Sequence, residues 1–360
     1  MGCSDMWKVV ETWVDRYLGD EEAVLLTILI ALALVLMIYV GAILAPFFAA
    51  VVIAFLLQGG VTRLVRWRVP HSLAVWVMFL VFSGILLVAL FLLVPILFQQ
   101  SSNLVGQIPG MVKQSQQAIL LIPEKYPEFV SEQEVRNLLA YASQEAARLG
   151  EALLTFSFSN LPNLIAVIVY LILVPLMVFF LLKDKDHLLG MLADLLPSRR
   201  PVMQGIWHEM NRQMANYVRG KVVEILLVGI TAYVSFLVLG LDYAALLGLL
   251  VGLSVLIPYI GAAVVTIPVL LVGYFQWGWG SEFLWLAVVY GVIQFLDGNV
   301  LVPLLFSEAV NLHPLAIILA VLVFGGLWGF WGVFFAIPLA TLVKALYNAW
   351  PRTDRPEPLS

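Results

Sequence analysis

The feature that most constrains this chain is a series of long apolar runs that contain no charged residue. Residues 23–57, 72–98, 161–182 and 243–281 are such runs. An α-helix needs about 20 apolar residues to cross about 30 Å of bilayer hydrocarbon, and each run reaches that length. The pattern therefore predicts several membrane-spanning helices rather than the core of a soluble domain.

Composition supports this interpretation. The chain has 360 residues, of which 62% are hydrophobic and 12% are charged, and its mean hydropathy is +1.00. A soluble domain carries about 25% charged residues, so this chain lacks the polar surface that it would need in water. We expect an all-α polytopic membrane protein in contact with the lipid bilayer.

Other functional classes find no support in the sequence. The net charge is -4 and the basic residues form no stripe that could follow a phosphate backbone, so we expect no nucleic-acid partner. The single cysteine, Cys3, excludes an internal disulfide and a cysteine-rich zinc site. The chain has no nucleophile elbow, HExxH or phosphate-loop motif, and its histidines are dispersed. We therefore expect neither an enzyme, nor a metal site, nor a cofactor.

Proline, glycine and charge divide the apolar sequence into about eight hydrophobic segments. Gly41 and Pro46 divide the first run into two helices that form a hairpin. The predicted segments are residues 22–41, 45–62, 72–98, 161–182, 222–241, 243–281, 283–305 and 313–343.

The basic residues predict the orientation of these segments, because positively charged short loops stay on the cytoplasmic side. Most of them lie before the first span, before the third, between residues 183 and 221, and after residue 343. The segment of residues 99–159 holds only Lys113, Lys125, Arg136 and Arg148, among many glutamates. This distribution predicts cytoplasmic N- and C-termini and a small helical extracytoplasmic domain.

Each side of the membrane also has a predicted amphipathic helix. Outside, Ser131 and Glu134 form a capping box for a helix that stops at Gly150, and this helix either packs on the outer domain or contacts another subunit. Inside, apolar residues recur every three or four positions and predict a helix lying on the membrane surface, as a structural part or as a moving linker. These residues are Met203, Ile206, Met210, Met214 and Tyr217.

The predicted organisation follows from these assignments. It comprises N-terminal transmembrane helices (1–98), the extracytoplasmic domain (99–159), a transmembrane helix (160–182), a cytoplasmic amphipathic linker (183–221), a transport domain (222–345) and a cytoplasmic tail (346–360).

The transport domain contains two interrupted segments. Pro258, Gly261 and Pro268 exclude a continuous helix in residues 243–281, and glycines including Gly325 and Gly326 interrupt residues 313–343. Counting crossings places these two broken hairpins in inverted orientation, as in secondary transporters with a site at the bilayer midplane. Their tips, which include Tyr259, are predicted to line the substrate pathway. The alternative is a pair of ordinary helical hairpins packed as scaffold.

One acidic residue stands out inside a predicted span, where a charge costs at least about 2.5 kcal/mol. Asp297 lies within residues 283–305, and Gln294 shares its helical face. Gly298 and Pro303 would loosen the helix and turn Asn299 toward the same cavity. Asp297 is predicted to bind a substrate or ion; the alternatives are a cap at a helix break and a residue placed at an interface.

Other polar residues border this domain. Glu308, Asn311 and His313 precede the second hairpin, and His313 would either relay a proton or cap the helix that follows. Arg219, Lys221 and Glu224 lie at the inner end of the span 222–241. Because Lys221 and Glu224 are one turn apart, they form either a local ion pair or part of a coupling mechanism.

The sequence resembles the AI-2E (autoinducer-2 exporter) transporter family, and one stretch is most similar to its PerM-type permeases. The resemblance rests on YVRGKVVEI, GLSVLIPYIGAAVVTIPVLL, QFLDGNVLVPLLFSEAVNLHPLAIILAVLVFGG and WGVFFAIPLATLV. It implies a bacterial inner-membrane protein that forms homo-oligomers, with a pentamer expected, and moves hairpin-bearing units like an elevator. Some relatives are described as exporters of autoinducer-2 and others as sodium or lithium ion/proton antiporters. Many members have Glu where this chain has Asp297, which leaves the ligand open.

These observations lead to a functional hypothesis with two alternatives. The chain is predicted to be a secondary transporter, a permease or exporter of a small solute, with the hairpins and the Asp297 segment forming its site. The first alternative is a sodium or lithium ion/proton antiporter, so the transported partner is a small solute or a monovalent cation and proton. The second is a non-transporting membrane scaffold, in which the hairpins only pack.

Overall fold

The structure is a computed structural model that describes residues 21–41, 43–125, 161–194, 196, 200–306 and 312–349, with four isolated positions between 133 and 144. Within these ranges the chain forms helices and no β-strand, which confirms the predicted all-α class. Six of the described helices are long and apolar enough to cross a membrane, or seven if a bent pair counts as one span. The predicted helix of residues 131–150 lies largely outside the described residues.

The N-terminal part begins with the predicted pair of helices. Helix α1 covers Glu21–Val40, and α2 covers Ala45–Arg66 with Pro46 in its first turn. Helix α3 (His71–Val88) continues through a π-helical turn (Ala89–Leu93) into α4 (Val94–Lys125). Pro46 fits the helix start because its missing N–H is not needed there.

The middle of the chain differs from the predicted linker of residues 183–221. Helix α5 (Leu161–Lys183) bends by 77° into the short helix α6 (Lys185–Asp194). Helix α7 then runs for 39 residues, Pro201–Leu239. The amphipathic segment predicted to lie on the membrane surface is therefore the first half of the same helix that contains the fifth predicted span.

The C-terminal part contains two places where the chain reverses, both at predicted breaks. Helices α8 (Ala244–Ser254) and α9 (Ile260–Trp277) form the first hairpin. Helix α10 (Ser281–Leu296), a π-helical turn (Asp297–Leu301) and α11 (Val302–Phe306) follow. Helices α12 (Pro314–Phe334) and α13 (Ala336–Ala349) form the second hairpin, whose chain breaks at Gly329 inside α12.

The backbone at both breaks requires small residues. Gly329 has φ 59° and ψ -135°, a conformation that suits glycine and strains any residue with a Cβ. A Cβ on Gly332 would overlap the carbonyl oxygen of Phe324, and one on Gly261 would overlap that of Ser254. The arms therefore approach closely on either side of each break. The re-entry of these hairpins into the bilayer stays a prediction.

Glycines also allow α7 and α8 to pack in close contact. A Cβ on Gly252 would lie 2.8 Å from the carbonyl oxygen of Ile225 and 2.9 Å from the Cα of Gly229. A Cβ on Gly248 would lie 2.7 Å from the Cβ of Tyr233. Membrane helices associate through such small-residue contacts because lipid provides little hydrophobic drive between them.

Several apolar clusters of buried residues organise the part of the chain that the structure describes. One joins α7, α8, α9 and α10 through buried residues such as Phe236, Leu247, Val269 and Leu286. Another joins α2, α3 and α5. A third, aromatic cluster lies between them and includes Phe48 of α2 together with residues of α7 and the second hairpin. Besides this aromatic contact, two hydrogen bonds link the C-terminal helices to the N-terminal ones. The backbone N–H of Leu246 in α8 donates to Gln100 of α4 at 2.8 Å, and that of Met203 in α7 donates to Glu22 of α1 at 2.7 Å.

Candidate functional site

The centre of the candidate site is a buried ion pair on α7. The ammonium of Lys221 lies 2.8 Å from a carboxylate oxygen of Glu224, and the two side chains are 4% and 2% exposed. Their spacing of three residues puts both on one face of the helix, so the predicted ion pair is confirmed. Two charges are removed from contact with the surroundings here, which is costly unless each has a partner.

Lys221 also contacts the end of α8, which is the first arm of the first hairpin. Its ammonium donates a hydrogen bond of 2.8 Å to the carbonyl oxygen of Val255, the residue that ends α8. The last carbonyls of a helix have no partner within the helix, so a cation is a favourable neighbour for them. On another side the ammonium lies 5.2 Å from the centre of the Phe306 ring, within range of a cation–π interaction.

The predicted site residue Asp297 lies close enough to this pair to interact electrostatically with both Lys221 and Glu224. It is half-buried and begins the π-helical turn between α10 and α11. Its Oδ1 atom is buried and has no hydrogen-bond partner among the described residues. Because π-helical turns are rare and occur often at functional sites, this geometry favours a functional role for Asp297.

Gln294 takes part in a chain of hydrogen bonds that joins α10 to the first hairpin. Its side-chain amide donates to the hydroxyl of Tyr290 at 2.8 Å, and that hydroxyl lies 3.0 Å from the hydroxyl of Thr266. Thr266 donates to the carbonyl oxygen of Ala262 at 2.7 Å. Since Thr266 uses its proton on Ala262, the hydroxyl of Tyr290 donates to Thr266. The chain ends one residue from Gly261 at the hairpin break.

The second hairpin reaches the same part of α7 through Tyr217. The hydroxyl of this buried residue donates to the carbonyl oxygen of Phe334 at 2.7 Å. Its ring also packs 5.8 Å from the ring of Phe306. About two turns of α7, from Tyr217 to Glu224, therefore contact both hairpins and α11. The hairpin ends converge on this segment.

Several predicted site residues lie away from this centre. Asn299 is exposed and donates to the carbonyl oxygen of Phe295 on its own helix, and Arg219 is exposed with its guanidinium beside Gly59 of α2. His313 caps α12 by accepting a hydrogen bond from the backbone N–H of Leu315 at 3.2 Å, which agrees with its capping interpretation. The remaining ones, at or near the helix breaks, are Pro258, Tyr259, Pro303, Gly325 and Gly326. Glu308 and Asn311 lie outside the described residues.

The sequence interpretation missed several residues that build the centre. Tyr217 was assigned only to an amphipathic stripe, and Phe306, Tyr290 and Thr266 were assigned no role in the site. The carbonyl of Val255 has no signal in its side chain. Tyr217 could have been found, because it lies four residues before Lys221 and so shares its helical face.

No group of three or more metal-ligating side chains occurs in the part of the chain that the structure describes. The chemistry available at the centre is electrostatic. One ammonium faces two carboxylates, so the formal charges sum to -1 when both carboxyls are ionised. Such a cluster can hold a proton or a cation, because an unbalanced charge away from water is costly.

Comparison with known proteins places this chain among transporters. Residues 26–352 match the sequence family described as AI-2E family transporter. PerM of Escherichia coli (strain K12), named as a permease, is 45% identical over 346 residues, which cover 96% of this chain and 98% of PerM. YueF of Bacillus subtilis (strain 168), named as a transport protein, is 27% identical over 86% of this chain and 85% of its own. TqsA of Escherichia coli (strain K12), named as an AI-2 transport protein, is 27% identical over 85% of this chain and 86% of its own.

Proposed function

Because the chain belongs to the AI-2E transporter family, we propose that it is a secondary transporter that exports a small solute by alternating access. The chain is a multi-pass integral membrane protein related to permeases. As part of the proposal, it lies in the bacterial inner membrane with both termini in the cytoplasm, and it assembles as a homo-oligomer, a pentamer. The solute proposed first is autoinducer-2, because TqsA is named for its transport.

The observation that carries this proposal is the buried charge cluster at the point where the hairpins meet. Lys221 bonds to Glu224 and to the end of α8, and Asp297 lies within electrostatic range. A scaffold gains little from two buried charges, since an apolar pair of the same size is often as stable or more stable. A transporter uses such charges to bind a solute or its coupling ion.

The separate apolar clusters support an elevator-type movement. The α7–α10 cluster shares no buried residue with the cluster of α2, α3 and α5. Between them, the rings of Phe48 and Trp328 meet edge to face with centres 4.5 Å apart. Sliding at this aromatic contact breaks no hydrogen bond. The movement does break two others, from the backbone N–H of Leu246 to Gln100 of α4 and from that of Met203 to Glu22 of α1. We propose that the α7–α10 unit moves against the N-terminal helices with the second hairpin.

The test is a transport assay with purified protein in proteoliposomes loaded with autoinducer-2. Wild-type protein is expected to release it when a proton gradient is imposed. Asp297→Asn is expected to insert normally and to lose the gradient-driven release. The matched control is Asp242→Asn, which changes an exposed acid in the turn between α7 and α8. Equal release by Asp297→Asn and wild type would contradict the assigned role of Asp297.

The negative charge of the cluster favours one alternative, a sodium or lithium ion/proton antiporter. Two carboxylates against one ammonium leave room for one monovalent cation or one proton. In vesicles that contain a pH-sensitive dye and no organic solute, an antiporter would change the internal pH after a pulse of sodium or lithium chloride. A constant dye signal would reject this alternative.

A further inference from the structure

The ammonium of Lys221 has partners for only part of its N–H groups, and a second carboxylate, that of Asp297, interacts with it. An ammonium group has three N–H donors. The ammonium of Lys221 donates one to the carbonyl of Val255 at 2.8 Å and lies 2.8 Å from a carboxylate oxygen of Glu224, while the Phe306 ring covers a further side. Asp297 is the other carboxylate that interacts with Lys221. Lys221 thus has one carboxylate, Glu224, at contact distance and a second, Asp297, within electrostatic range.

Each of the two carboxylates, Glu224 and Asp297, carries one buried oxygen without a hydrogen-bond partner among the described residues. In Asp297 this oxygen is Oδ1. A buried acceptor without a partner costs about 1–3 kcal/mol, and more when it is charged. An ammonium that moved toward Asp297 would recover part of that cost. Lysine suits this exchange because its charge is carried on a flexible four-carbon stem.

Two other titratable side chains near the cluster, Arg219 and Tyr217, are not placed to pair with Asp297. Arg219 is exposed and lies against Gly59 of α2. Tyr217, the other titratable residue that faces the pair from α7, donates its hydroxyl proton to the carbonyl of Phe334. Among the described residues that contact the cluster, Lys221 is therefore the cation available to Asp297.

We propose that Lys221 is a positioning residue that exchanges between two carboxylates, Glu224 in the conformation described here and Asp297 in the other conformation of the cycle. The inference rests on the proposed function, because it assumes that the α7–α10 unit has two conformations. The exchange breaks the hydrogen bond to the carbonyl of Val255. The end of α8 is then released from α7, and the break of the first hairpin opens.

The experiment measures the access of water to that break. Cys3→Ser removes the natural cysteine and Ile260→Cys adds one at the start of α9, where the side chain is exposed. The rate of modification by a charged methanethiosulfonate is measured in lipid nanodiscs, without solute or gradient. Glu224→Gln should send Lys221 to Asp297 and raise this rate by up to about tenfold, as expected when a state of about 10% population becomes the major one.

Two further variants separate the exchange from a general loosening of the fold. Asp297→Asn leaves the present ion pair intact and should lower the rate of modification. The double variant Glu224→Gln/Asp297→Asn should lose the increase seen with Glu224→Gln alone. Equal rates for Glu224→Gln and the double variant would overturn the proposal, because the opening would not depend on Asp297. If Glu224→Gln does not fold, an unchanged rate in Asp297→Asn would overturn it instead.

The result is distinguishable from failure of the proposed function. The modification rates require no transport, so they report the exchange even if autoinducer-2 is not the solute. Conversely, solute release that depends on Asp297 together with rates that do not would retain the transporter and reject the exchange. Lys221→Met gives a final check, since Asp297→Asn should have no further effect on the rate in that background.

Discussion

Among single residues, the two ion pairs on α7 are expected to contribute unequally to the free energy of unfolding. Lys221 and Glu224 form a pair that is almost fully buried, whereas Glu209 and Arg212 form a pair with the same spacing on the exposed part of α7. Buried pairs leave an uncompensated charge when one member is removed. Exposed pairs are solvated in either case. The two pairs on one helix therefore provide a matched comparison.

Lys221→Met is expected to lower the free energy of unfolding by about 3–5 kcal/mol, because Glu224 is left buried without its partner. Arg212→Met, the control, should change it by about 0–1 kcal/mol. Titration with sodium dodecyl sulfate in mixed micelles measures both values. Adding Glu224→Gln to Lys221→Met should recover part of the loss. An effect of Lys221→Met no larger than that of Arg212→Met would contradict the buried ion pair.

At the scale of helices, the contact between α7 and α8 depends on glycine. Gly252→Ala is expected to destabilise the protein by about 1–3 kcal/mol, because the new methyl group would push the two helices apart. Gly291→Ala in α10 is the control, since a Cβ there meets no atom within 4 Å. The same unfolding titration measures both variants. Equal stability of the two variants would show that α7 and α8 do not pack through Gly252.

Much of the helix pattern could be predicted from sequence, for identifiable reasons. The charge-free runs predicted the helices, Pro46 marked the start of α2, and Pro258 and Gly261 marked the break of the first hairpin. The continuity of α7 could not be predicted, because its amphipathic half and its apolar half have different periodic patterns and only the backbone joins them. In the site, Lys221 and Glu224 could be paired by spacing. The bond to the carbonyl of Val255 could not be predicted, since it depends on how α8 packs against α7.

Over the whole molecule, two apolar clusters are joined by an aromatic cluster and by hydrogen bonds from α7 and α8 to α1 and α4. The charged site lies beside Tyr217 and Phe306 of the aromatic cluster. The two apolar clusters are distinct because each has its own set of buried residues. The orientation in the membrane, the outer domain and the pentamer stay predictions. The movement of the α7–α10 unit against the N-terminal helices would expose the hairpin breaks to water on alternate sides.

Alternating exposure of the hairpin breaks is tested by labelling single cysteines at Ile260 and Gly326, one near each break. Both positions are exposed on the described surface, and Cys3→Ser removes the natural thiol. In sealed proteoliposomes, an impermeant thiol reagent is applied from each side in turn. Both positions are expected to react, and added solute or a pH gradient is expected to change the side from which they do. Resistance of both cysteines from both sides, under every condition, would mean that the hairpins are packed scaffold and would contradict the transport mechanism.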